Sequence, residues 1–280
     1  MSDSAPHRAK VAANGTQPSE ASPRAAGFAS YPSLRGRHAF VTGGASGLGR
    51  EFVSQLAAQG AHVSFVDLDD ASAASLLAEI VDRGDPEPHF SHVDVREIPS
   101  LVASISDAAE RFGPVTVLVN NAANDTRHRV EDVDVDLWDD RMAVNIRHHF
   151  FAAQAVVPGM RDAGGGSIIN LGSISAHIDL RDLPVYIAAK AGIEGLTRTL
   201  AREFGGAGIR VNCVIPGWIM TPRQLEKWVG EEEKQHIHRM QALPELLYPA
   251  DVARMVLWLA AEDSRLCTGQ TWVVDGGWQQ

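Results

Sequence analysis

The sequence predicts an α/β fold: one doubly wound domain in which a parallel sheet is flanked by helices. Three observations carry that reading. From about Leu34 onward, short apolar runs alternate with longer amphipathic stretches, the pattern of successive βα units. The first run passes directly into a glycine-rich turn and then a helical pattern. The second run ends on a carboxylate, Asp67.

Each element follows in order. The run His38-Ala39-Phe40-Val41-Thr42 is the first strand, apolar on successive residues because a parallel strand is covered on both faces. A helix is expected over 47–59, stopped by Gly60, with the second strand over 62–66. Further strands are expected over 88–93, 115–120, 167–171, 210–215 and 271–274, and long amphipathic helices over 136–163 and 184–204. No segment repeats. The polar, charge-dense stretch 221–248 breaks the rhythm between the sixth strand and a helix beginning near Asp251. Ligands of open α/β sheets bind beyond the carboxyl ends of the strands. An insertion leaving from such an end is expected to act as a lid over a substrate.

Composition narrows the function classes. A chain of 280 residues with 45% hydrophobic content can bury the core of one large domain. A formal charge of −10 argues against nucleic acid or an anionic membrane as partner. No uncharged apolar run approaches the roughly 18 residues that a bilayer span requires. Cys213 and Cys267 stand in apolar contexts and are expected as small buried residues rather than a disulfide or metal ligands. A cytoplasmic location is the expectation. Residues 1–33, rich in Ala, Ser and Pro and without periodicity, are expected to be a disordered extension, leaving 34–280 as the catalytic domain.

The turn Thr42-Gly43-Gly44-Ala45-Ser46-Gly47-Leu48-Gly49 joins a strand to a helix. Glycines there let the backbone approach a pyrophosphate, which rests on the helix N-terminus. Gly43, Ser46, Gly47, Leu48 and Gly49 are therefore expected cofactor-binding residues. Asp67 ends the second strand, where a carboxylate accepts both hydroxyls of an adenosine ribose and repels a 2′-phosphate. Leu68, Asp69 and Asp70 supply no cation to offset that repulsion, so NAD is expected over NADP. Asp94 and Val95 follow the third strand and could hold an adenine amino group and ring. Asn120-Asn121-Ala122-Ala123 closes the fourth strand with residues small enough for the cofactor to approach.

Tyr186 and Lys190 are four residues apart within the helix expected over 184–204, which places both on one face. Ser173 ends the preceding strand. A phenol titrates near 10, too high for a general base at neutrality. Lys190, together with a positive nicotinamide, is expected to draw Tyr186 down into range. Ser173 would orient the substrate oxygen, and Asn145 would hold a water linking Lys190 to solvent. His148 and His149 diverge around a helix and are expected as packed residues, not metal ligands. His236 and His238 are expected in solvent, and His177 on a loop over the pocket.

These residues together resemble the short-chain dehydrogenase/reductase family. Its marks are Thr-Gly-x-x-x-Gly-x-Gly at 42–49, Asn-Asn-Ala at 120–122, Asn145, Ser173, Tyr-x-x-x-Lys at 186–190, Pro216-Gly217 with Thr221, and the closing Thr268-Gly269-Gln270 to Asp275-Gly276-Gly277. The resemblance implies a seven-stranded Rossmann sheet and a catalytic tetrad of Asn145, Ser173, Tyr186 and Lys190. It also implies cofactor contacts from Tyr186, Lys190, Pro216, Gly217, Ile219 and Thr221, and a homotetramer, or homodimer, built through the two long helices. Ala123 departs from the glycine usual there. Within the family, Asn124-Asp125-Thr126-Arg127-His128, Val144-Asn145-Ile146-Arg147-His148, Ser173 to His177 and Arg223-Gln224 are similar to bacterial sugar 1-dehydrogenases of the D-xylose type, though Ala176 and Trp218 differ. The implied activity is NAD-dependent oxidation of an aldose to a lactone, with Asn124, Ser173, Ser175, His177, Tyr186, Trp218 and Gln224 as substrate contacts. D-xylose, L-arabinose, L-fucose and D-galactose stay open as substrates. A dehydrogenase of another secondary alcohol or a 3-oxoacyl substrate is the alternative, and a non-catalytic NAD(H)-sensing protein is the alternative of another class.

Overall fold

In the computed structural model, which describes residues 28–279, seven strands pair entirely in parallel. They are β1 (His38–Thr42), β2 (His62–Asp67), β3 (His89–His92), β4 (Val117–Asn120), β5 (Gly166–Leu171), β6 (Ile209–Pro216) and β7 (Thr271–Val274). Their spatial order is β3-β2-β1-β4-β5-β6-β7. The chain starts mid-sheet, winds outward to β3, returns through β4 beside β1, and then winds the other way. That reversal opens a crevice at the carboxyl ends of β1 and β4. The glycine turn leaves from one of these ends and the Asn-Asn-Ala segment from the other, so topology alone brings the two motifs together.

Nine helices are described: α1 (Gly47–Ala58), α2 (Asp70–Asp82), α3 (Ile98–Phe112), α4 (Val135–Met142), α5 (His148–Asp162), α6 (Pro184–Phe204), α7 (Pro222–Lys227), α8 (Glu231–Met240) and α9 (Pro249–Ala260). Side chains alternate across each strand. Ala39 and Val41 of β1 join one core with Phe52 and Leu56 of α1 and Val252 and Val256 of α9. Phe40, between them, joins the opposite core with Leu101 and Ile105 of α3 and Val156 of α5. A third cluster lies under the insertion, where Val229 and Ile237 pack on Ile174, Met220 and Trp278. Cys213 is buried and Cys267 partly so, both as free thiols. Among the described residues no helix is long and apolar enough to cross a membrane.

The helix expected over 136–163 is not continuous. A wide π turn, Ala143–Arg147, separates α4 from α5. Single π turns of this kind are frequent at functional sites, and this one carries Asn145, whose side chain bonds to Asn124. The insertion at 221–248 folds as α7 and α8, its ends pinned by a bridge between Ile219 and Leu247. The packed body also reaches back before position 34. Leu34 is fully buried, the Tyr31 N–H donates to Gln59 Oε1 at 2.7 Å, and Arg254 stacks on Phe28. Residues 1–27 of the expected extension lie outside the described residues.

Candidate active site

Gly43 and Gly47 adopt φ of 65° and 56°, the left-handed region that glycine occupies without strain. At Gly49 the reason for glycine is space: a Cβ there would fall 1.8 Å from the Gly43 carbonyl oxygen. The turn is thus folded tightly back on the start of α1. Thr42 Oγ1 accepts the N–H groups of Asn121 and Ala122 at 2.9 and 3.1 Å. The Asn121 amide donates back to the carbonyls of Thr42 and Gly43 at 3.0 and 2.9 Å. Asn121 is therefore the stitch between the two motifs, and its side chain is spent on the protein.

Asp67 keeps its carboxylate at the crevice: Oδ2 accepts from the Ala45 N–H at 2.9 Å, and Oδ1 from Leu68 and Asp69 at 2.7 and 3.1 Å. Capping of α2 falls instead to Asp69, which accepts from the Ser72 N–H at 2.9 Å. This leaves Asp67 free of a capping role. Asp94 lines the cleft as expected, with a partner the sequence does not show. Arg96 occupies both of its oxygens through Nε and Nη2 at 2.5–3.0 Å and also reaches Asp140 at 2.6 Å. The Arg96 hydrogen bond and charge hold the Asp94 carboxyl below its usual range. Three N–H groups of Arg96 share that carboxylate where it borders the cleft.

At the inner end, Lys190 is 2% exposed and donates from Nζ to the Leu171 carbonyl at 2.7 Å. Burial brings its pKa down to about 8. Its ammonium stands 5.6 Å from the centre of the Tyr186 ring. Tyr186 does not behave as expected from its neighbour alone. Burial first, and then the negative charge of Asp125, push the phenol well above its ordinary value, against a Ser173 hydrogen bond and the Arg223 charge that lower it. The protein by itself thus holds the phenol protonated. Ser175 sits beneath this group, its hydroxyl donating to Ser173 Oγ at 2.8 Å; it orients Ser173 rather than facing the cleft with a free hydroxyl.

The Asn145 side chain, fully buried, accepts from the Asn124 N–H at 2.8 Å and donates to the Asn124 carbonyl at 3.2 Å. The amide expected to anchor a water is committed to the loop after β4. His148 and His149 are fully buried, as expected of packed residues. Burial lowers both of their pKa values. His177 borders the cleft, but Nε2 pairs with Glu194 at 2.7 Å and Nδ1 meets the Gln279 amide at 3.1 Å, so both ring nitrogens are engaged.

One cleft of about 1280 Å³ collects the expected residues. Its lining includes Gly43, Ser46, Gly47, Leu48, Asp67, Leu68, Asp94, Val95, Asn121, Ala122, Ala123, Asn124, Ser173, Ser175, His177, Tyr186, Lys190, Pro216, Gly217, Trp218, Ile219, Thr221 and Gln224. Gly49 and Asn145 stand behind the wall. His236, expected in solvent, also faces the cleft, as do Asp125, Arg223, Trp278 and Gln279, to which no role had been assigned. Asp125 and Arg223 were legible only as members of motif stretches. Trp278 and Gln279 carried a weak signal, an aromatic directly after the Gly276-Gly277 turn near the chain end.

A family profile described as enoyl-(acyl carrier protein) reductase matches residues 43–279. D-xylose 1-dehydrogenase of Caulobacter vibrioides (strain NA1000 / CB15N) is 46% identical over 249 residues, 89% of this chain and 98% of the relative. The chain belongs to the short-chain dehydrogenase/reductase family. A second family member, from Rhizobium meliloti (strain 1021) and assigned as a galactose dehydrogenase, is 41% identical over 88% of this chain and 96% of its own length. The crystal structure of a blue fluorescent protein from a metagenomic library, in complex with NADPH, superposes with a TM-score of 0.80 at 35% identity, covering 88% and 99% of the two chains. This chain is thus a short-chain dehydrogenase/reductase over nearly all of its described length, and an oxidoreductase that uses a nicotinamide cofactor.

Proposed function

We propose that this protein oxidises an aldose at its anomeric carbon to the lactone, with NAD as acceptor. One observation carries the reading. Ser173, Tyr186 and Lys190 close the inner end of a cleft whose other end is the glycine turn and Asp67. The mouth between them carries Asp125, Arg223 and Gln224 beside the rings of Trp218 and Trp278, a mix of polar groups and flat apolar faces. Sugars present hydroxyls on most carbons and can hydrogen-bond to such polar groups while their C–H faces lie on the rings, whereas a 3-oxoacyl chain has hydrogen-bonding atoms at one end only. Relatives named for D-xylose and galactose point the same way.

The residues fit the cofactor. The glycine turn and helix start face the cleft through Gly43, Ser46 and Gly47, and the left-handed φ of Gly43 and Gly47 turns the backbone toward it. Asp67 keeps a charged acceptor at the ribose position, which favours NAD over NADP. When bound, NAD accepts the hydride from the anomeric carbon. Tyr186 takes the proton of the anomeric hydroxyl, so that a C=O forms as the C–H bond is given up. Ser173 donates to that oxygen and, oriented by Ser175, fixes the carbon toward the cofactor. Because the protein alone holds the phenol protonated, the positive charge that a bound nicotinamide would add, beside Arg223 and Lys190, would supply the bias toward phenolate. Asn145 secures the loop that carries Asn124 and Asp125 above the sugar.

A homotetramer in the cytoplasm completes the proposal. The test is the initial rate of NADH formation over D-xylose, L-arabinose, D-galactose, L-fucose and simple secondary alcohols. Rates with at least one aldose should exceed those with the alcohols by about a hundredfold. Tight NAD binding with no aldose oxidised would replace this reading with that of a sensor.

A further inference from the structure

Two segments far apart in sequence meet across the mouth of the cleft. The loop after β4 presents Asp125, and α7 presents Arg223 and Gln224. Arg223 Nη2 pairs with Asp125 Oδ1 at 2.9 Å. The Gln224 amide donates to Asp125 Oδ2 at 2.8 Å, and its own oxygen accepts the Trp218 indole N–H at 3.0 Å. Nearby, the Arg127 guanidinium lies 4.7 Å over the Trp228 ring. Both carboxylate oxygens of Asp125 are thus taken by the lid. The loop beneath is rigid, because Asn145 grips Asn124 through both its amide atoms.

The two lid helices are held differently. Ile237 of α8 is fully buried, whereas α7 contains no buried residue. Beyond its Thr221 cap, α7 is held by polar and ring contacts, those of Arg223 and Gln224 to Asp125, of Trp218 to Gln224, and of Arg127 to the Trp228 ring at its end. A helix without buried apolar area is drawn from the low-stability end of the fold and opens most readily. We propose that Asp125 and Arg223 form a clasp that closes α7 over the bound substrate, and that the same two charges couple closure to proton transfer at Tyr186. Asp125 is a positioning residue in this arrangement, not a proton carrier.

The coupling is electrostatic, and its sign follows from two opposite charges paired in the same cleft as the phenol. Four groups bear on the phenol: Asp125 from the loop after β4, Arg223 from α7, Ser173 from the end of β5, and Lys190 from one turn along α6. Asp125 opposes the phenolate and Arg223 favours it. Removing either breaks the same ion pair, yet each removal leaves the other charge unbalanced. The two substitutions must therefore move Tyr186 in opposite directions. A clasp with only a structural role would weaken both variants alike and shift neither.

This inference rests on Tyr186 being the proton acceptor, so the test has one arm that needs no substrate. In Asp125→Asn and Arg223→Gln, amide hydrogen exchange across 222–228 of the full chain should quicken about tenfold, with the α8 segment unchanged. In the pH dependence of kcat/KM for aldose oxidation, the rising acid limb should move down by about 0.5–1 pH unit in Asp125→Asn and up by a similar amount in Arg223→Gln. Unchanged exchange in both variants, or limbs that move in the same direction or stay fixed, would overturn the clasp and its coupling. Should the wild-type chain oxidise no aldose, the proposed function fails, and the exchange arm still decides whether α7 is clasped.

Discussion

Lys190 carries an ammonium into a place where water scarcely reaches, and the consequence for stability can be worked out. Burial lowers its pKa from 10.5 to about 8. With each tenfold in proton affinity worth about 1.4 kcal/mol, the buried charge costs about 3 kcal/mol of folding free energy while both states are protonated. That penalty is present in full below about pH 8. It is relieved as the folded-state lysine deprotonates, and it is gone above about 10.5. Lys190→Met removes it at every pH. The substitution also deprives the Leu171 carbonyl of its donor, a loss of about 1–3 kcal/mol for a buried acceptor. At pH 7 the variant should match or exceed the wild type by up to about 2 kcal/mol, or about 2–8 °C in Tm. At about pH 10.5 the order should reverse, the wild type leading by the hydrogen-bond term. Urea unfolding at the two pH values, with far-ultraviolet circular dichroism as a check on the fold, reads the difference directly. A stability difference that does not change with pH would refute the reasoning, since it would mean that the charge is not buried at a cost.

Two further outcomes follow from the cofactor end. Asp67→Asn keeps an oxygen for the Ala45 N–H but removes the charge from the ribose site, so NAD affinity should fall about tenfold to a hundredfold, as the loss of about 1.5–3 kcal/mol implies. The preference over NADP should shrink with it, and an unchanged ratio of the two dissociation constants by calorimetry would take Asp67 out of the ribose site. Gly49→Ala forces a methyl to within 1.8 Å of the Gly43 oxygen, so the turn must open. A loss of about 3 kcal/mol or more in stability, or of NAD binding, is expected; wild-type Tm together with wild-type affinity would contradict it.

The parallel sheet was legible because apolar runs covered on both faces leave an unmistakable pattern, and β1, α6 and β7 fall where the pattern places them. The motifs identified which residues would gather, since each stands at a strand end on the same side of the sheet. What stayed hidden was pairing. Nothing in the sequence says that Arg96 would claim Asp94, that Asn145 would spend its amide on Asn124, or that Glu194 and Gln279 would occupy His177. Those contacts join segments distant in sequence and depend on side-chain reach. The π turn at Ala143–Arg147 was invisible for another reason: one extra residue in a helix does not disturb the apolar periodicity enough to show. The rise of the Tyr186 pKa in the protein alone was not legible, because the i+4 lysine is a local signal, whereas burial and the charge of Asp125 are tertiary ones.

The account turns on Tyr186 as the group that accepts the substrate's proton. Its most direct test is Tyr186→Phe, which retains the ring and its packing while deleting the hydroxyl. NAD should bind within about twofold of wild type, while aldose-dependent NADH formation should fall by about a thousandfold, within the range general-base catalysis supplies. Turnover within tenfold of the wild type would show that the proton leaves by another route.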